Sequence, residues 1–149
     1  MARFSAAWRT TGAGSTTLPI GSLYATAAKR PVLVEVGVFN STTTAVVIAL
    51  RRFSATGTQG STISALPEDD VSQAAVATAK DTHTVTPTIT AGYLRVASLG
   101  AAIGSGIIWT FGGGKTSGLV IPNTTGDGIG LIVHTGTGQI CDVSFTWDE

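Results

Sequence analysis

The chain has 149 residues, 43% hydrophobic and only 12% charged, and nine basic against nine acidic side chains give a formal net charge of +0. That length suits one domain with a real core. The balance of charge excludes the basic field that nucleic acid or an anionic membrane would need, and no apolar run approaches the ~20 residues of a membrane span.

Residues 1–30 carry Phe4, Trp8 and Tyr24 among small residues without strong periodicity. They read as an N-terminal arm or a first strand whose aromatics are buried on their own domain or on a neighbour. The start lacks the apolar run of a signal peptide, so synthesis in a cytoplasm is expected. Residues 31–149 read as a β-sandwich domain.

Val32 to Phe39 alternates, with Val32, Val34, Val36 and Val38 on one face and Leu33, Glu35, Gly37 and Phe39 on the other. That is the period of a half-buried strand. Asn40 to Thr44 reads as a turn, and Ala45 to Phe53 as the partner strand of a hairpin. Arg51 and Arg52 point to opposite faces of that strand. One is expected to form an ion pair with Glu35 on the hairpin partner and the other to reach a neighbouring subunit, and fraying that leaves both solvated is the alternative.

Ser61 to Leu66 reads as a short strand ended by Pro67. Glu68-Asp69-Asp70 precedes Val71 to Ala79, where helix and strand are both open readings. Thr82 to Thr90 alternates threonine with His83, Val85 and Pro87 and reads as extended. Tyr93 to Ser98 is another short strand. Four more close the chain: Ile107–Phe111, Leu119–Pro122, Ile129–His134 and Gln139–Trp147, separated by glycine-rich turns. Eight or nine short strands without long amphipathic helices predict an all-β, antiparallel sandwich or jelly roll.

Chemical motifs are sparse. Gly112-Gly113-Gly114-Lys115-Thr116 lacks the leading glycine and following helix of a phosphate loop. Asn123 to Gly128 offers one carboxylate, Asp127, too few for a calcium loop, and reads as turn chemistry. Asp81, His83, His134 and Asp142 have no metal-ligand spacing, and no nucleophile-elbow pattern appears. Cys141 lies in an alternating strand and reads as a buried small hydrophobe. Asn40-Ser41-Thr42 and Asn123-Thr124-Thr125 match a glycosylation pattern without a secretion signal. No catalytic residue, cofactor or metal is expected.

Several stretches carry a resemblance. Phe4-Ser5-Ala6-Ala7-Trp8, Pro31 to Val36, His83 to Ile89 and the ending from Gly118 to Glu149 look like small virion proteins of tailed bacteriophages. The resemblance implies a non-enzymatic jelly roll that assembles as a homo-oligomer, often a trimer, on a capsid or tail. A capsid decoration (cement) protein bound to the major capsid protein is the first expectation. A tail or neck module, including a carbohydrate-binding one with Trp109 or Trp147 as the sugar platform, is the alternative. Phe4, Trp8, Arg9 and Arg52 are the expected partner contacts. Deleting residues 1 to about 20 is expected to weaken assembly while the domain still folds.

Overall fold

Alternation along the chain becomes two antiparallel sheets packed face to face in the computed structural model, which describes residues 1–69, 73–112 and 118–149. The strands are β1 (Arg3–Arg9), β2 (Gly21–Tyr24), β3 (Val32–Asn40), β4 (Val46–Ala55), β5 (Thr62–Ile63), β6 (Leu66–Pro67), β7 (Thr78–Lys80), β8 (Thr88–Ile89), β9 (Arg95–Leu99), β10 (Gly106–Thr110), β11 (Leu119–Val120), β12 (Gly128–Thr135) and β13 (Cys141–Asp148). The fold is a β-sandwich with thirteen strands among the described residues rather than eight or nine, because five of them are only two or three residues long. One sheet runs β10-β3-β13-β1-β6, with β11 also on β3. The other runs β5-β7-β2-β12-β4-β8, with β9 also on β4.

Three expectations change. First, β3 and β4 do not form a hairpin: β3 pairs with β10, β11 and β13, whereas β4 pairs with β8, β9 and β12. The turn at residues 41–45 is an arch from one sheet to the other. Asn40 holds it by donating to the Thr44 and Gly100 carbonyls, at 2.7 and 3.1 Å, and accepting from the Thr42 amide. Its side chain is buried in doing so, which removes it as a glycosylation acceptor. Glu35 and the Arg51-Arg52 pair therefore lie in different sheets and form no ion pair. Second, a bulge between Thr146 and Trp147 of β13 resets the register on β3, so Leu33 reaches the core where plain alternation put Val34. Third, the Ser61–Leu66 strand divides: β5 joins one sheet through β7, and β6 joins the other through β1. Of the ambiguous 71–79 stretch, Thr78 onward is strand β7, residues 73–77 form no helix, and residues 70–72 lie outside the described set.

Residues 3–9 are a strand and not an arm. β1 is hydrogen-bonded to β13 along its whole length and to β6 on its other side. Phe4, Ala6 and Trp8 face the core. Phe4 stacks on Trp147 at 6.0 Å between centroids, and Trp8 stacks on Phe145 at 5.8 Å. Arg3 closes the seam with a two-pronged bond to Asp148, at 2.8 and 3.0 Å.

On the outer face of the second sheet, Gly128 and Gly130 of β12 leave room for rings from the flanking strands. A Cβ at Gly130 would come within 2.5 Å of the Phe53 ring and 2.7 Å of the Gly21 carbonyl. A Cβ at Gly128 would come within 2.5 Å of the Tyr24 ring. Tyr24, Ala49, Phe53 and Ile132 form a second, smaller core there, distinct from the one between the sheets.

Two outcomes follow from this packing. Gly130→Ala should cost about 1–3 kcal/mol by overpacking, read as a lower denaturation midpoint at unchanged slope. Removing residues 1–10 takes out an internal strand with Phe4 and Trp8, so the truncated chain should lose its cooperative thermal transition. A truncated protein melting like the full chain would show β1 to be dispensable.

Candidate functional site

From β7 to β8 the chain must pass from one side of β2, β12 and β4 to the other. Residues 81–94 make that crossing as a strap over the second sheet's outer face. Its alternation is amphipathic: Thr84, Thr86, Thr88 and Thr90 face solvent, while His83 and Pro87 are buried. One isolated bridge, Thr58 to Val85, and neighbouring backbone bonds tack it to the loop at Thr58. At the far end the Arg51 guanidinium donates to the carbonyls of Thr90 (2.7 Å) and Gly92 (3.0 Å) and lies over the Tyr93 ring, 4.7 Å from its centroid.

His83 is the inward anchor. It is 2% exposed and lies beside the rings of Tyr24 (5.9 Å) and Phe53 (6.4 Å). Its Nε2 shares a 2.9 Å hydrogen bond with the Ser22 hydroxyl, and its Nδ1 has no partner of hydrogen-bonding geometry. Burial pushes the imidazole down to about 4; the nearby Val85 backbone opposes this and the charge of Lys80 adds to it. The Tyr24 hydroxyl is likewise unpartnered, and burial raises its phenol.

A serine touching a histidine invites a nucleophilic reading, which the surroundings do not support. Catalytic pairs of this kind need a third group to orient the histidine and a path for substrate. Ser22 is fully enclosed and no carboxylate meets Nδ1. Asp81, two residues before His83, spends one oxygen on Trp8 Nε1 (3.1 Å) and the amides of Thr11 (3.2 Å) and Thr82 (2.7 Å). Burial alone would raise its carboxyl, but these hydrogen bonds outweigh it and the net shift is down. The pair is a neutral clamp that ties the strap to β2.

The four residues considered for a metal do not converge. His134 packs edge-on against Tyr93 at 4.7 Å, and Asp142 forms an ion pair with Arg9 at 2.7 Å. Among the described residues no three His, Cys, Asp or Glu side chains are placed to hold a metal ion. Residues 113–117 of the glycine-lysine run lie outside the described set. Asp127 donates its amide to the Thr124 carbonyl, as turn chemistry requires. Cys141 is buried, and that burial pushes its thiol up to about 11.

The expected partner contacts fare unequally. Phe4 is 1% exposed and Trp8 is half-buried against Phe145, so both are spent on the chain's own core. Arg9 lies on the surface beside Asp142. Arg52 points between the sheets and donates to the Val120 carbonyl at 2.8 Å, bridging β4 to β11. The proposed sugar platforms Trp109 and Trp147 are both buried, and the exposed aromatic is Tyr93.

Sequence reasoning missed Ser22, Tyr93 and Glu149. The Glu149 carboxylate accepts from Trp147 Nε1 (3.2 Å) and from the amides of Val76 (2.9 Å) and Ala77 (3.2 Å). No family model matches the chain, and neither a curated protein nor a solved structure does.

Ser22→Ala should cost about 1–3 kcal/mol, because it strands a buried ring nitrogen. Adding His83→Phe should recover most of that loss, since removing both polar partners removes the unpaired group. Denaturation midpoints of the two single variants and the double variant measure the coupling.

Proposed function

We propose that this chain is a structural component of a tailed-phage particle, first of all a capsid decoration protein. It would be made in the host cytoplasm and assemble as a homo-oligomer, a trimer in the simplest case, on the major capsid protein. Support comes from the sequence resemblance, the β-sandwich and the sparse charge. A neutral, weakly charged surface associates readily.

One observation carries the reading. β9 and β10 lie on the same side of the sandwich, each hydrogen-bonded along one edge to β4 or β3 and to no second strand among the described residues. Val96 of β9, Ile103 of their connection and Ile108 of β10 are 45%, 71% and 53% exposed. Open strand edges with exposed aliphatic residues, where Arg95 is the one charged side chain of β9 and β10, are what monomeric sheet proteins avoid. They suit a protein whose edges are covered on assembly, by strand addition or by packing against a shell. The contact surface therefore moves from Phe4 and Trp8 to the β9–β10 side.

A glycan-binding module is the second reading. It now rests on Tyr93, which is half-exposed but already stacked by Arg51. Specific glycan capture lost in Tyr93→Ala would favour it.

The test is binding of purified protein to shells that lack it, followed by imaging of the bound particle. Val96→Lys together with Ile108→Lys should weaken binding at least about tenfold, as loss of interface anchors does, without lowering the melting temperature. Binding unchanged by both substitutions overturns the edge as the contact. Absence of the protein from intact particles overturns the virion reading itself.

A further inference from the structure

We propose that residues 81–94 are an acid-released strap, with His83 as the latch and the Tyr24–Phe53 face of the second sheet as the surface it uncovers. The geometry is that of a latch which works only while the imidazole is neutral. His83 is enclosed between two rings with one hydroxyl partner and an unpartnered Nδ1. A proton on that nitrogen would place an unpaired charge in an apolar site, which is costly unless the group moves to water.

Only the Val85 backbone partly offsets that charge, and burial outweighs it. β2 presents Ser22 and Tyr24, β4 presents Phe53 with Arg51 further along the same face, and β12 presents Gly130. On β7, Lys80 adds repulsion. Asp81 is the nearest carboxylate along the chain, and its Oδ1 is held by Trp8, Thr11 and Thr82. Elsewhere the strap is held by the two-residue β8 ladder on β4, by backbone bonds from His83 to Pro19, Thr90 to Arg52 and Leu94 to Leu50, by those at Thr58, and by Arg51. Most of its residues from 84 to 93 are exposed, so few buried contacts oppose its release.

The sign is fixed by the direction of the shift. The folded ring binds a proton more weakly than the unfolded one, so the latch is fully effective above the ordinary histidine range. It weakens as pH falls below about 6.5 and is spent near 4. Linkage of this size changes the closing equilibrium on the order of a hundredfold. Release lifts Ile89 away and bares Tyr24, Ala49, Phe53 and Ile132, an apolar face distinct from the β9–β10 edges. The inference therefore stands apart from the virion reading.

Hydrogen exchange on the full chain tests it, with protection corrected for the intrinsic pH dependence of exchange. Between pH 7 and pH 4, amides from 83 to 94 should lose protection by tens- to a hundredfold, while those of β3, β12 and β13 keep theirs. His83→Gln, neutral at both pH values, should show no such loss. The Asp81 carboxyl, which also titrates in acid, is controlled by that variant. Unchanged strap protection in the wild-type protein overturns the proposal. So does an equal loss in His83→Gln, or loss of the strap and the sandwich in one step.

Discussion

The sandwich depends on one piece of chain being seated between two others. β1 and β2, β3 and β4, and β12 and β13 are three arches, each with one strand in either sheet. The last arch enters between the first two, so β13 lies between β1 and β3 while β12 lies between β2 and β4. Until it arrives, neither sheet has a centre. The seam joins residues as far apart as Arg3 and Asp148, 145 positions along the chain. Closing so long a loop costs entropy before any contact repays it, which makes this a slow topology to assemble. What repays it is aromatic: Phe4 on Trp147 and Trp8 on Phe145, stacked across the β1–β13 pair. The exposed Arg9–Asp142 ion pair adds little by comparison, because solvent screens it.

That seating also decides what the two outer faces can become. β13 shows small or polar residues outward, with Ser144 and Thr146 between the buried Val143, Phe145 and Trp147. Its face can stand open to water. β12 shows glycines outward, and the rings of Tyr24 and Phe53 close over them. That face is apolar and must be covered, and the strap covers it. Threonine at alternate strap positions keeps its solvent side polar, while His83 and Pro87 fill its inner side.

Strand positions were largely legible because period-two alternation is a local property. All four C-terminal strands fall where alternation put them. Partners were not legible, for a physical reason. An arch and a hairpin begin from the same material, two alternating strands joined by a five-residue turn, as at residues 41–45. Only the destination of the second strand differs, and that is fixed by β12 and β13 arriving from the far end. The N-terminal strand was hard to separate from an arm for the same reason, since Phe4 and Trp8 find their burial only against β13. The Thr82–Thr90 alternation did signal a surface with two sides. It did not signal the crossing, because nothing near His83 in sequence reveals Ser22, Tyr24 or Phe53.

Several of the charged and strongly polar groups this chain buries or half-buries sit where it changes sheet or crosses a face. Asn40 ties the arch between β3 and β4, Asp81 holds the root of the strap to Trp8 and Thr11, and Arg52 joins the two sheets through the Val120 carbonyl. Asp148 and Glu149 fasten the end of β13 to Arg3 and to the amides of residues 76 and 77. Crossings leave backbone groups outside the sheet ladders, and buried backbone groups need partners. A chain with only nine acidic and nine basic residues that commits several of them to such ties has little charge left for its edges. The aliphatic rim at Val96 and Ile108, with Arg95 as the one charged side chain of β9 and β10, follows from how the fold spends its polar groups, and it leaves that side of the sandwich suited to contact with another surface.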